Sequence, residues 1–154
     1  MRAVATTVQG VNYMKAELPR AMQIGTAIPK SVLTVLNQLY QIEQKLAKLD
    51  DCDSLRRNIE RMKDAFAEEG IPIYATAGSP CTVSLTYENP MGLRFNETRT
   101  DLDATIAGKG TDNLVVVEVI KPIIRATVKD AEVRSSRIVQ KGIVIVESRG
   151  TKEA

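Results

Sequence analysis

The sequence predicts an α+β protein: an N-terminal helical hairpin or coiled-coil stem, then a small, mainly antiparallel β head. Three observations predict it. Val32, Val35, Leu39, Ile42, Leu46 and Leu49 alternate three and four residues apart, the a/d spacing of a helical seam. After Gly70 the apolar period changes from helical to two. Near the C-terminus, Glu118-Val119-Ile120-Lys121-Pro122 and Arg137 to Val146 are long β-branched runs, which favour strands.

The predicted organisation is an arm over 1–30, a helical stem over 31–70, a β head over 71–148 and a tail over 149–154. In the arm, Val8, Val11, Tyr13, Met14 and Leu18 keep no clean period, and Pro19, Gly25 and Pro29 interrupt the segment. Ser31 is the expected N-cap of the first helix, with Leu33, Leu36 and Tyr40 as a second apolar flank. Asp50-Asp51-Cys52-Asp53-Ser54 breaks the stripe. Acids suit the start of a second helix, where the dipole is positive. Leu55, Ile59, Met62 and Phe66 then resume helical spacing, and Gly70 is the expected C-cap. A helix-turn-helix is the preferred reading; one long helix with a phase shift near Cys52 is the alternative.

Ile71 to Tyr74 reads as an edge strand, because Pro72 cannot donate to a ladder. Val83, Leu85 and Tyr87 alternate with Thr82, Ser84 and Thr86, giving a strand with one wet face. Asn89-Pro90-Met91-Gly92 is turn chemistry. Leu102, Ala104 and Ile106 share one side of the next strand, and Gly108 to Asp112 reverses the chain. Leu114 to Ile120 is apolar on both sides except at Glu118, which predicts a central or sandwiched strand.

Composition excludes several function classes. Lys and Arg number 21 against 19 acids, a net charge of +2, and aromatics are 4% with no Trp. Neither the charge nor the stacking platforms expected of a nucleic-acid binder are present. With no histidine, the chain lacks Ser-His and Cys-His nucleophilic pairs and the commonest metal ligand. Cys52 and Cys81 are too few for a thiolate zinc site and read as reduced thiols, a disulfide between them being the minor alternative. No run reaches the roughly 20 apolar residues of a membrane helix, and the N-terminus has no signal-peptide core. A cytoplasmic protein without metal or cofactor is the expectation.

Few residues suggest chemistry. Gly108-Lys109-Gly110-Thr111 lacks the spacing of a phosphate loop and reads as a turn. Asp101 and Asp103 project to one side of a strand, as an acid–base or Mg²⁺ pair would, or simply as solvated edge residues. Glu118 stands among valines and isoleucine, so it should be paired with Arg99, Arg125 or Arg137, or lie at a sheet rim. Phe95 between Arg94 and Arg99 has the composition of an interface anchor, or is a core residue closing its loop.

Gly92-Leu93-Arg94-Phe95-Asn96, Glu118-Val119-Ile120-Lys121-Pro122 and Ser136-Arg137-Ile138-Val139-Gln140-Lys141-Gly142-Ile143-Val144-Ile145-Val146 together resemble the head of the GrpE family, the nucleotide-exchange factors of DnaK-type chaperones. The Glu69-Gly70-Ile71 junction is similar to that family's helix-to-head transition, so the resemblance covers roughly 55–148. Ile123-Ile124 stands where the family has Gly-Tyr, and 75–91 looks like an inserted hairpin. The resemblance implies a non-enzymatic co-chaperone whose head wedges into the chaperone's nucleotide-binding domain and promotes ADP release. It implies partner-facing roles for Arg94, Phe95, Asn96, Arg99, Lys121, Pro122 and Arg137. It also implies a homodimer seam from Val32, Val35, Leu39, Ile42, Leu46 and Leu49, for which an intramolecular core against Leu55, Ile59, Met62 and Phe66 is the equal alternative. Two rival functions stand beside it: an interaction module with another partner, and a small enzyme using Asp101, Asp103 and Glu118.

Overall fold

A computed structural model describes residues 28–73, 81–129 and 136–150. The arm through residue 27, Tyr74 and the last four residues of the tail lie outside it, so the expectations placed on them are not addressed.

Two helices form the expected hairpin: α1, Lys30–Leu46, and α2, Asp53–Asp64, which runs on into a π-helical turn, Ala65–Glu69. Helix α1 is capped two residues earlier than expected, with Pro29 rather than Ser31 at the N-cap (φ −59°, ψ 139°) and no side-chain cap. It ends at Leu46, and the amides of Lys48 and Leu49 turn back to the carbonyls of Lys45 and Leu46. Asp51, at φ 59°, and Cys52, the N-cap of α2, complete the turn where the acidic cluster predicted a break. Gly70 terminates the π turn at φ 70°, its amide donating to Ala65 O at 3.0 Å. No long coiled coil is present among the described residues.

Seven strands follow: β1 Ile71–Ile73, β2 Cys81–Glu88, β3 Leu102–Ala107, β4 Leu114–Lys121, β5 Ile123–Val128, β6 Ser136–Gln140 and β7 Gly142–Ser148. They make two sheets, ordered β1-β2-β5-β6 and β3-β7-β4. All pairings are antiparallel except β3 with β7. The chain does reverse between β3 and β4, yet the two are not a hairpin, because β7 lies between them.

The chain changes sheet three times: over the 89–101 loop between β2 and β3, at Pro122 between β4 and β5, and at Lys141 between β6 and β7. The run 137–146, continuous in the sequence reading, is therefore two strands. At this corner Gly142 is required by space. A Cβ there would meet Leu102 Cδ2 at 2.8 Å and Ile123 Cγ1 at 3.0 Å.

Two cores result. The first joins Leu36, Leu39, Leu46 and Ile59 of the hairpin to Ile73, Val83, Leu85, Ile124, Ala126 and Val128 of the four-stranded sheet. The second holds Leu102, Leu114, Val116, Ile123, Val144 and Val146, with Phe95 and Ile138 against it. Ile123 and Ile124, both fully buried, point into different cores because successive strand residues face opposite sides. Strand β5 is thus the shared wall. The helical pair does not stand clear of the head as a separate stem; its buried side lies on the sheet.

Strand β4 is less enclosed than its composition predicts. Leu114, Val115 and Val116 are buried, whereas Glu118, just past one register shift, and Ile120, within a second, are exposed. Bulges of this kind turn an edge strand away from regular pairing.

Candidate functional site

Residues 89–99 form an ordered loop laid along β4. Gly92 N donates to Val116 O (3.0 Å), Val116 N to Leu93 O (2.9 Å) and Phe95 N to Leu114 O (2.8 Å), with Arg94 opposite Val115 in an isolated antiparallel bridge. Asn89 Oδ1 accepts from the Met91 amide and Asn96 Oδ1 from the Thr98 amide, each at 3.1 Å, local bonds that make an Asx turn. The loop therefore caps part of an edge that would otherwise present unpaired backbone groups.

The residues expected to face a partner divide. Arg94, Asn96, Lys121 and Arg137 are exposed. Phe95 is half-buried and packs on the second core, in line with the loop-closing alternative. Pro122 is fully buried at the sheet corner, so its ring is not offered to a partner. Arg99 is held within the head. Its Nε and Nη2 bind the two Asp101 carboxylate oxygens at 3.0 and 2.8 Å, and its Nη1 approaches Arg94 O at 3.4 Å. The hydrogen bond from Arg99 holds the Asp101 carboxyl below the usual carboxylate range, against partial burial. Arg125 extends this network, to Glu88 at 2.8 Å and Asp101 at 3.5 Å.

The expected seam divides as well. Leu39 and Leu46 are buried in the first core and Val32 is half-buried against it, as the intramolecular alternative holds. Val35, Ile42 and Leu49 are 46%, 42% and 53% exposed, and Leu55 and Met62 of the second helical segment are 51% and 42% exposed. Val35 and Ile42, like Leu55 and Met62, are seven residues apart. Each pair stacks on one side of its helix about two turns apart.

A polar cluster that the sequence reading did not single out ties the hairpin to the sheet. Tyr87 OH donates to Glu43 Oε2 at 2.6 Å, and Lys63 Nζ binds Glu43 Oε1 at 3.0 Å and Glu60 Oε1 at 3.1 Å. Lys63 also lies 5.3 Å from the Tyr87 ring centre, and the Tyr40 and Tyr87 rings meet edge-on at 5.9 Å. Burial, then the Glu43 hydrogen bond, push the Tyr87 phenol far above its ordinary value. For Lys63, burial lowers the ammonium pKa, but Glu43 and Glu60 outweigh it and the net direction is up. The cavities beside this cluster are small, about 220 Å³ between the helices and about 170 Å³ beside Tyr87.

The acids considered for catalysis are apart in role. Asp101 is engaged by Arg99, Asp103 lies 3.6 Å from Lys141, and Glu118 is exposed on the rim strand β4. Arg99 and Arg125, two of the three partners expected for Glu118, bind other acids. Cys52 and Cys81 are free thiols. Among the described residues no group of three or more Cys, Asp or Glu is arranged to hold a metal ion, and no helix is long and apolar enough to cross a membrane.

A wider cleft, about 390 Å³, lies at the outer end of the three-stranded sheet and is lined by Gly92, Arg94, Asn113, Val115 and Arg149. Arg149, which the sequence assigns to the tail, is brought there because its amide donates to Asn113 O at 3.1 Å. No family model, curated protein or solved structure matches the chain.

Proposed function

We propose that this protein is a non-enzymatic partner-binding module, and specifically a GrpE-like co-chaperone that binds the nucleotide-binding domain of a DnaK-type chaperone and promotes ADP release. The observation that carries the reading is convergence. The segments that resemble the family lie far apart in sequence, yet Gly92–Asn96 is bonded along β4, which contains most of the second motif, and β4 pairs with β7 from the third. Arg94, Lys121 and Arg137 remain exposed as candidate contacts.

The mechanism is a shift of equilibrium. A head that binds the open form of its partner more tightly than the closed form populates the open form, and weaker nucleotide contacts follow. No side chain of this chain needs to make or break a bond. The test is release of labelled ADP from a panel of DnaK-type chaperones, including the one from the same cells. Faster release in the presence of this protein is expected; unchanged release across the panel ends the co-chaperone reading.

A second reading, self-assembly through the hairpin, is favoured by one observation: the exposed apolar residues Val35, Ile42, Leu49, Leu55 and Met62. Apolar surface of this kind is more often covered than left wet. Light scattering separates the readings. A homodimer without any effect on ADP supports an oligomerisation module alone, and a strict monomer removes it.

A further inference from the structure

The cleft at the end of the three-stranded sheet carries an inference about what the head holds. Arg94 and Arg149 both line it. Neither guanidinium has an ion pair or side-chain hydrogen bond among the described residues, unlike Arg99 and Arg125, which are both ion-paired. Two like charges facing one recess repel, and an anion between them relieves that repulsion. The guanidinium fork matches a carboxylate in bidentate geometry.

The floor and walls are built rather than loose. Val115, at 7% exposure, forms the floor. The loop strand is held by three backbone hydrogen bonds to β4, and Arg149 by its amide to Asn113. Register places Arg94, Val115 and Glu147 in one row, so Glu147 is the acid that shares this face, one strand beyond the floor and outside the cleft lining. Room exists at the mouth: a Cβ on Gly92 would meet nothing within 4 Å.

We infer that this cleft is a docking site for an acidic protein segment, its carboxylates on Arg94 and Arg149. A protein segment is favoured over a phosphate polymer. The chain's net charge is only +2, and the aromatic side chain of the loop, Phe95, is packed inward instead of presented for base stacking. The inference rests on the reading of the head as a partner-binding surface and names the chemistry of that partner.

The test uses the full chain and a fluorescein-labelled Glu/Leu peptide, with binding followed by anisotropy. Arg94→Gln and Arg149→Gln are each expected to weaken binding about tenfold, and the double variant more, with binding falling as salt rises. Lys48→Gln, an exposed charge in the hairpin turn, should leave binding unchanged. Equal binding by wild type and the double variant overturns the inference, as does equal binding of a Lys/Leu peptide. Tighter binding of single-stranded DNA than of the acidic peptide, lost in the double variant, also overturns it in favour of phosphate. Both arginines are exposed at the side chain or surface loop, and unchanged thermal melts of the variants exclude misfolding as the cause. Peptide binding without any effect on ADP sinks the co-chaperone reading alone; ADP release that survives the double substitution, with no peptide binding, sinks the cleft alone.

Discussion

The two cores of this molecule differ in what covers them. The first is closed by the helical hairpin on one side of the four-stranded sheet, and it contains the Tyr87–Glu43–Lys63 cluster. The second is smaller, and among the described residues no helix packs on it; a loop, Phe95 and the shared strand β5 close it. A sheet without a helical layer must place its polar and charged residues on its own exposed side. The unpaired Arg94 and Arg149 and the exposed Met91 and Leu93 lie at that end. The comparison separates a body, stabilised by burial, from a surface where side chains are left available.

The sharpest way to break that division is at β5. Ile124→Ala and Ile123→Ala should each cost about 2–5 kcal/mol, as full truncations in dense cores do. Their local effects should differ. Ile124→Ala is expected to speed hydrogen exchange in the hairpin and four-stranded sheet, and Ile123→Ala in β4, β7 and the 89–99 loop. Identical exchange patterns from the two variants would mean that the cores are one unit.

Next in size is the corner. Gly142→Ala places a methyl against Leu102 and Ile123, and overpacking of this kind costs about 1–3 kcal/mol, readable as a lower urea midpoint. Little or no loss would show that the two sheets slide apart easily at Lys141–Gly142.

The polar cluster sharpens the comparison through pH. Tyr87, Tyr40 and Lys63 all titrate above their ordinary values in the folded chain. A raised folded value gives stability that is present below the unfolded pKa and lost as pH rises through the folded one, so stability should fall as pH rises above about 10. Tyr87→Phe should cost about 1–2 kcal/mol at neutral pH and make that alkaline fall shallower in urea titrations. Asp101, in the other region, is lowered, so its contribution holds above about pH 4 and fades as pH drops further. The acid limb should therefore flatten in Asp101→Asn and the alkaline limb in Tyr87→Phe; a swap of these effects would contradict the assignment.

The smallest stability effect concerns the outside of the hairpin. Val35→Glu with Ile42→Glu should change unfolding stability by no more than about 0.5 kcal/mol per site, because both are substantially exposed. Any dimer built on that side should dissociate, as sedimentation would reveal; an unchanged assembly places the dimer elsewhere.

Much of the hairpin was legible because local signals agreed there. The three-four spacing, the acidic break at Asp50–Ser54 and Gly70 all point to the same elements. Strand existence was legible from alternation. Strand partnership was not: Arg137 to Val146 is one uninterrupted β-branched run apart from Lys141-Gly142, and only long-range pairing tells β6 from β7. The apolar a/d stripe also does not say which of its members are inside; tertiary contact buries Leu39 and Leu46 and leaves Val35 and Ile42 wet. The partner-facing residues implied by motif included Pro122 and Arg99, which serve the fold. Arg149 and the Tyr87–Glu43 bond went unseen because they depend on segments distant in sequence, the latter separated by 44 positions.

The most direct measurement of the central claim is native-state hydrogen exchange of the full chain with and without the nucleotide-binding domain of a DnaK-type chaperone, the proposed partner. Slower exchange at residues 89–99 and at the Leu114 and Ser148 ends of β4 and β7, with the hairpin unchanged, is the predicted result. Protection confined to the hairpin, or none at all at saturating partner, would contradict it.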